Sequence, residues 1–284
     1  MFSSAYGQDY IDYYQLCNEA DKEANFGNEA LALTKLEKAF ELVDYIHAEK
    51  YELASNLAVS NRNFSKGYLY AKRAIQNGST TEFWKGKNFR KFRSTSYFHT
   101  LKDSLETWEQ DHLKTLNITY KKLIDSLFYV DQRVIRKNKR IKGDYLIDAD
   151  KLPHNLYDLD SIILQTLIRE MEAHGFPSEQ RIGRSGYEKA LIIIHHNFRL
   201  EQNEKYHPIA IRAVQQGEYW PSDFAGMYEQ YHMASKGQTY FTTFDKNLSE
   251  DNLRRINKNR IKFGLKDLSA FSLRRRGLSM KALW

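Results

Sequence analysis

Apolar positions recur along most of this chain at spacings of three and four residues, the period of a helix with one buried face. From Asp9 to Gly78 that pattern predicts helical hairpins. Further helices are expected over Tyr97–Lys114, over Ile118–Lys139 with Leu123, Leu127, Val130 and Val134 inward, and over Asn155–His174 with Leu159, Ile162, Ile163, Leu167 and Met171 inward. Tyr206–Gln216, a segment capped by Ser222 and running to Ser235, and a last helix starting at Ser249 complete the series. Gly237 to Phe244 is the one candidate for a strand or extended loop, because Thr, Tyr and Phe alternate there. The strongest signal is Gly175 to Asn197. Its Ala190-Leu191-Ile192-Ile193-Ile194 run has no polar face, so burial on all sides is expected, with His195 and His196 at the exit. The fold class is therefore all-α.

Small residues sharpen the reading of the N-terminal part. Ala20, Ala32 and Ala39 return 35 residues later as Ser55, Gly67 and Ala74, and Leu36 and Phe40 as Ala71 and Ile75. Small side chains at such positions let paired helices approach closely. The spacing resembles the tetratricopeptide repeat, which implies stacked helical hairpins with a concave face for a protein partner. Three regions follow: a possible signal-peptide remnant over 1–8, a helical-repeat-like region over 9–114, and a C-terminal helical domain over 115–284. Ala5 and Gly7 have the small-x-small form of a signal-peptidase site, with Gln8 as mature start. A periplasmic or secreted protein is expected; a frayed cytoplasmic N-terminus is the alternative.

Charge changes the picture only locally. The formal charge is +7, yet residues 1–60 hold eleven acidic side chains against four basic ones. Residues 61–100 reverse this, with nine basic residues against Glu82. Phe89 and Phe92 interleave with that basic stretch, a mixture nucleic-acid binders use. Their helical spacing points instead to core packing beneath a solvated basic face, so nucleic acid is not the expected partner. A single cysteine, Cys17, excludes an internal disulfide and a cysteine-rich metal site. No run is long enough to span a membrane.

Candidate chemistry lies in the C-terminal half. Asp131-Gln132 with Arg136, Gly175-x-Pro177, Gly183, His196, Tyr206 with Pro208, Gly217-Glu218, Gly237-Gln238 with Tyr240, and Arg260 with Gly264-Leu265 form a set. Over residues 117–273 that set resembles an uncharacterised bacterial family, domain of unknown function 6624. The chain departs from its pattern with Glu229-Gln230 where the family tends to Asp-Arg, and with Phe241 where it tends to glycine. The resemblance implies kinship and no activity.

If the polar set converges, His196 is the candidate general base, Asp131 its orienting carboxylate and Arg136 an anion holder, with Gln132, His195, Gln238 and Tyr240 as binding residues. The plainer alternative is a buried hydrogen-bond network. No metal site and no cofactor are expected. Adjacent His195 and His196 point about 100° apart on a helix, and Gly183-Arg184-Ser185-Gly186 lacks phosphate-loop spacing. The leading function is recognition of a protein or peptide partner; a hydrolase-like enzyme centred on His196 is the alternative.

Overall fold

The computed structural model describes residues 5–135, 156–197, 206–236, 240–241 and 249–268. Among these residues every regular element is helical. The chain opens with α1 (Ala5–Asn25), α2 (Glu29–Phe40), α3 (Ala48–Ser60) and α4 (Phe64–Gln76). α1 packs against α2, and α3 against α4, as two antiparallel hairpins. The residues singled out by the 35-residue offset are buried in both: Ala20, Ala32 and Ala39 in the first, Ser55, Gly67 and Ala74 in the second. Gly67 shows why smallness matters there. A Cβ on it would stand 2.6 Å from Val59 Cγ2, and Ser55 Oγ donates to the Gly67 carbonyl at 2.8 Å, so α3 and α4 touch backbone to side chain.

The basic stretch between the hairpins and α5 (Ser96–Thr115) forms three 3-10 turns, over Thr81–Lys85, Lys87–Arg90 and Phe92–Ser94. Trp84, Phe89 and Phe92 bury themselves there against Ile75, Leu101 and Trp108. The aromatics are core, as their spacing suggests, although the backbone coils more tightly than an α-helix. Trp84 and Gly86 carbonyls accept from Arg93 at 2.6 and 3.3 Å, which ties the turns together.

α6 (Ile118–Ile135), α7 (Leu156–His174), α8 (Glu179–Asn197), α9 (His207–Gln215), α10 (Pro221–Lys236) and α11 (Glu250–Lys262) follow. The inward line of α6 runs through Tyr120, Ile124, Leu127, Val130 and Asp131, one helical stripe, with Leu123 only half-buried. On α7 the buried face is Ile163, Leu164, Leu167, Ile168 and Met171, while Ile162 points outward. The isoleucine-rich segment of α8 is also one-sided. Ala190, Ile193 and Ile194 are buried, but Ile192 is 39% exposed, which corrects the expectation of burial all round. Three isoleucines in sequence cannot share one face of a helix at 100° per residue, so one of them turns to the outside. Within α8, Gly183 takes φ +75°, ψ 161°, and breaks the helical path. A side chain there would press on Leu116, so the kink and the contact both require glycine.

Pro221 opens α10, and Ser222 sits exposed inside its first turn rather than capping it. Ser249 does cap α11, accepting from Asn252 N at 3.3 Å. The expected extended stretch lies mostly outside the described residues; Tyr240 and Phe241 form a bend.

One buried cluster runs from Ile11 in α1 to Leu265 after α11, so the hairpins and the C-terminal helices share a core. Asn18 Nδ2 donates to Gly264 O at 2.7 Å, and Gln15 Nε2 to Ile261 O at 3.3 Å, fixing α1 along α11. Among the described residues no helix is long and apolar enough to cross a membrane.

Candidate functional site

Two places carry chemistry. The first is the one the sequence points to. α6 and α8 pack side by side, and the Asp131 carboxylate of α6 meets His196 of α8 at 2.9 Å through Nδ1. Gln132 Nε2 donates to the same Asp131 oxygen at 3.0 Å. The Asp131 side chain is 3% exposed and the His196 ring 32%. A carboxylate accepts, so Nδ1 is the protonated nitrogen when the imidazole is neutral, and Nε2 carries the lone pair. This is an orienting pair, with the acid beneath and the base toward solvent.

The rest of the predicted set divides. His195 turns the other way, and its Nε2 donates to the Asp223 carbonyl of α10 at 3.2 Å. The two adjacent imidazoles therefore serve two neighbouring helices, as their divergence on a helix requires. Tyr240 belongs to a third group. Its backbone N–H and that of Phe241 donate to the Glu229 carboxylate at 3.0 and 2.6 Å. The Phe241 carbonyl accepts from Arg260 Nη1 at 2.8 Å, and the Tyr240 carbonyl from Asn259 Nδ2 at 3.1 Å. Tyr240 also stacks on His232 at 5.0 Å. Arg136 and Gln238 lie outside the described residues.

Glu229 and Phe241 thus work as a pair. A buried carboxylate holds two consecutive amides, and the Phe241 ring packs on Phe224 and Phe263. Glu229→Gln replaces one accepting oxygen by an amide that donates, facing N–H groups that also donate. A loss of about 2 kcal/mol is expected in urea unfolding. An unchanged midpoint would show that the bend does not depend on this carboxylate.

The second place had no motif. Where α1 and α3 meet α8 and the start of α10, a cleft of about 380 Å³ opens, lined by Tyr14, Lys50, Arg184, Tyr187, Trp220 and Asp223 among others. Its floor is built around Glu179. This buried carboxylate, in the first turn of α8, accepts the Ala48 N–H at 3.1 Å, and so also caps α3. His47 Nδ1 lies 3.5 Å from its other oxygen, while the His47 ring packs on Trp220 at 4.1 Å. Burial alone pushes the Glu179 carboxyl up, but His47, the Ala48 amide and Arg184 together hold it below its ordinary range. Two helix N-termini converging on one carboxylate favour the charged form in the same sense.

Lys50 is nearly enclosed and sits between Asp21 at 3.2 Å and Glu49 at 3.6 Å. Burial works against its charge, but those acids and Cys17 outweigh it and raise its pKa. Arg184 reaches Glu52 at 3.1 Å and Glu188 at 3.4 Å. Asp223 accepts from the Tyr187 hydroxyl at 3.0 Å, and that oxygen accepts in turn from the Trp220 amide at 3.1 Å. Burial raises the Asp223 carboxyl above its usual range, with the Tyr187 hydrogen bond acting against it. Cys17 also lines the cleft, but burial pushes its thiol up to about 12, so it is no nucleophile at neutral pH. Among the described residues no three His, Cys, Asp or Glu side chains gather to hold a metal ion.

None of the cleft's charged or aromatic residues was a candidate catalytic or binding residue in the sequence. Most come from two pairs of helices, α1 with α3 and α8 with α10, and more than a hundred residues separate the pairs. Trp220 just ahead of Pro221, with Asp223 after it, was the nearest thing to a signal. Comparisons with known protein families, curated proteins and solved structures give no match for this chain. What fold and sites define is a class: an all-α protein with a charged, aromatic-walled cleft at the seam between two helical hairpins and a C-terminal helical layer.

Proposed function

We propose that this chain is a recognition module for a protein or peptide partner. The observation that carries the reading is the cleft itself. It is concave, combines aromatic walls with a few fixed charges, and lies where hairpin helices face a second helical layer, as ligand sites commonly do. Kinship with the bacterial family, a tetratricopeptide-like descent of the hairpins, and export suggested by Ala5 and Gly7 belong to the same proposal.

Panning of a displayed random-peptide library on the folded protein tests it. Binders are expected whose retention falls at least about tenfold on Trp220→Leu, the loss of one aromatic anchor. A library that yields no binder sensitive to this change contradicts the reading.

The Asp131–His196 contact favours a second reading, a hydrolase-like activity with His196 as general base. On that reading His196→Ala abolishes turnover of chromogenic esters, phosphoesters and amides, and Asp131→Asn lowers it about 100-fold. Purified protein that turns over none of these classes contradicts it.

A further inference from the structure

The cleft is acidic on a basic protein. Asp21, Glu49, Glu179, Glu188 and Asp223 line it against Lys50 and Arg184, while the chain as a whole carries +7. Both cations are already engaged by Asp21, Glu49, Glu52 and Glu188. Glu179 is engaged by the Ala48 amide and His47. Asp223 differs from the rest. It holds the Tyr187 hydroxyl, and among the described residues no ion pair reaches it. This half-buried carboxylate lines the cleft without a cation, and taking an unpaired charge out of water is costly.

A second observation points the same way. Tyr14 is 2% exposed and lines the same cleft, and its hydroxyl has no hydrogen-bond partner among the described residues. Buried hydroxyls nearly always have one, so a polar group of a wall residue stands unsatisfied. The wall's preference is visible in the molecule itself. Lys50 Nζ lies 5.4 Å from the centre of the Trp220 ring, an ammonium held over an aromatic face. Trp220 stands just ahead of α10 and Asp223 lies in its first turn, so one short stretch of chain supplies both the ring and the carboxylate.

We infer that the cleft receives a lysine or arginine side chain of the peptide partner, its cationic head at Asp223 and its stem along Trp220 and Tyr187. Long basic side chains bury their methylenes on apolar surface while the head keeps polar partners, which is what this arrangement offers. A cleft of about 380 Å³ has room for such a side chain together with adjoining backbone. The inference rests on the reading of the chain as a peptide-recognition module and names what that module reads.

Titration calorimetry with blocked tripeptides tests it. The probes are acetyl-Ala-Lys-Ala-amide, its arginine and glutamate counterparts, and the same lysine peptide acetylated at Nε. The lysine and arginine peptides are expected to bind at least about tenfold more tightly than the acetylated one, and the glutamate peptide weakest, since each loses the charge-assisted contact. Asp223→Asn, which keeps an acceptor for Tyr187, is expected to lower the affinity for the lysine peptide about tenfold and leave the acetylated peptide unchanged. Trp220→Phe, which keeps an aromatic wall, weakens the lysine peptide less than Asp223→Asn does. Equal binding of lysine and acetyl-lysine peptides overturns the inference, as does an Asp223→Asn protein of undiminished affinity. Binding of cadaverine without binding of the lysine peptide also overturns it. If displayed peptides without a basic residue bind in a Trp220-dependent way, the recognition module stands and only the basic side chain falls. If no peptide of any kind binds, both fall.

Discussion

Replacing Gly217 by alanine lowers stability by about 3 kcal/mol, a fall in Tm of roughly 6–12 °C for a chain of this size. Two effects add. Gly217 ends α9 with φ +72°, a conformation that disfavours any residue with a Cβ by roughly 1 kcal/mol. A Cβ at Gly217 would also run into the ring of Tyr10, which belongs to α1. The clash therefore falls on the contact between the first hairpin and the C-terminal helices. Gly27 supplies the control. It has φ +81° with nothing within 4 Å of a built Cβ, so Gly27→Ala carries the conformational cost alone. Scanning calorimetry of both variants separates the two effects. Equal losses would show that Tyr10 does not press on Gly217.

The second large effect lies at Glu179. Glu179→Ala removes the cap of α3 and leaves His47 buried without its acid, a change expected to cost about 3 kcal/mol. Its pH dependence has a definite sign. The folded protein holds the Glu179 carboxyl below the ordinary value of 4.5, so the unfolded chain binds this proton more readily. The carboxylate's contribution is thus fully present above 4.5 and is lost as pH falls through the lower folded value. Urea midpoints of the native protein and Glu179→Gln, compared at neutral pH and below 4.5, are expected to converge in acid. A constant gap between the two contradicts the assignment. Asp223 behaves in the opposite sense. Its raised carboxyl disfavours the ionised folded form, so Asp223→Asn is expected to melt no lower than the native protein at neutral pH.

Helices were legible in the sequence because their apolar positions keep the period of 3.6. The inward residues Leu127, Val130, Ile163, Leu167 and Met171 follow from it directly. Ile162 and Ile192 did not, because hydrophobicity alone cannot tell which of two neighbouring isoleucines faces the core. Asp131 and His196 were legible as a pair of compatible chemistry on two helices, and they do meet. Tyr240 and His195 were chosen on the same grounds and go elsewhere. Residue type says what a side chain can do, and only packing says which neighbour it does it with. The cleft is the extreme case. Glu179 reads as an ordinary first-turn acid of α8, and nothing near it in sequence announces that its oxygen caps a helix 131 residues earlier.

That the hairpins and the C-terminal helices close on one another, with the cleft as their seam, is tested most directly by a double-mutant cycle between His47 and Glu179. His47→Ala, Glu179→Ala and the double variant are unfolded in urea beside the native protein. A coupling of about 1 kcal/mol or more is expected, since the two side chains share one buried contact across the seam. Effects that add to within about 0.3 kcal/mol would mean that the two sides do not meet there.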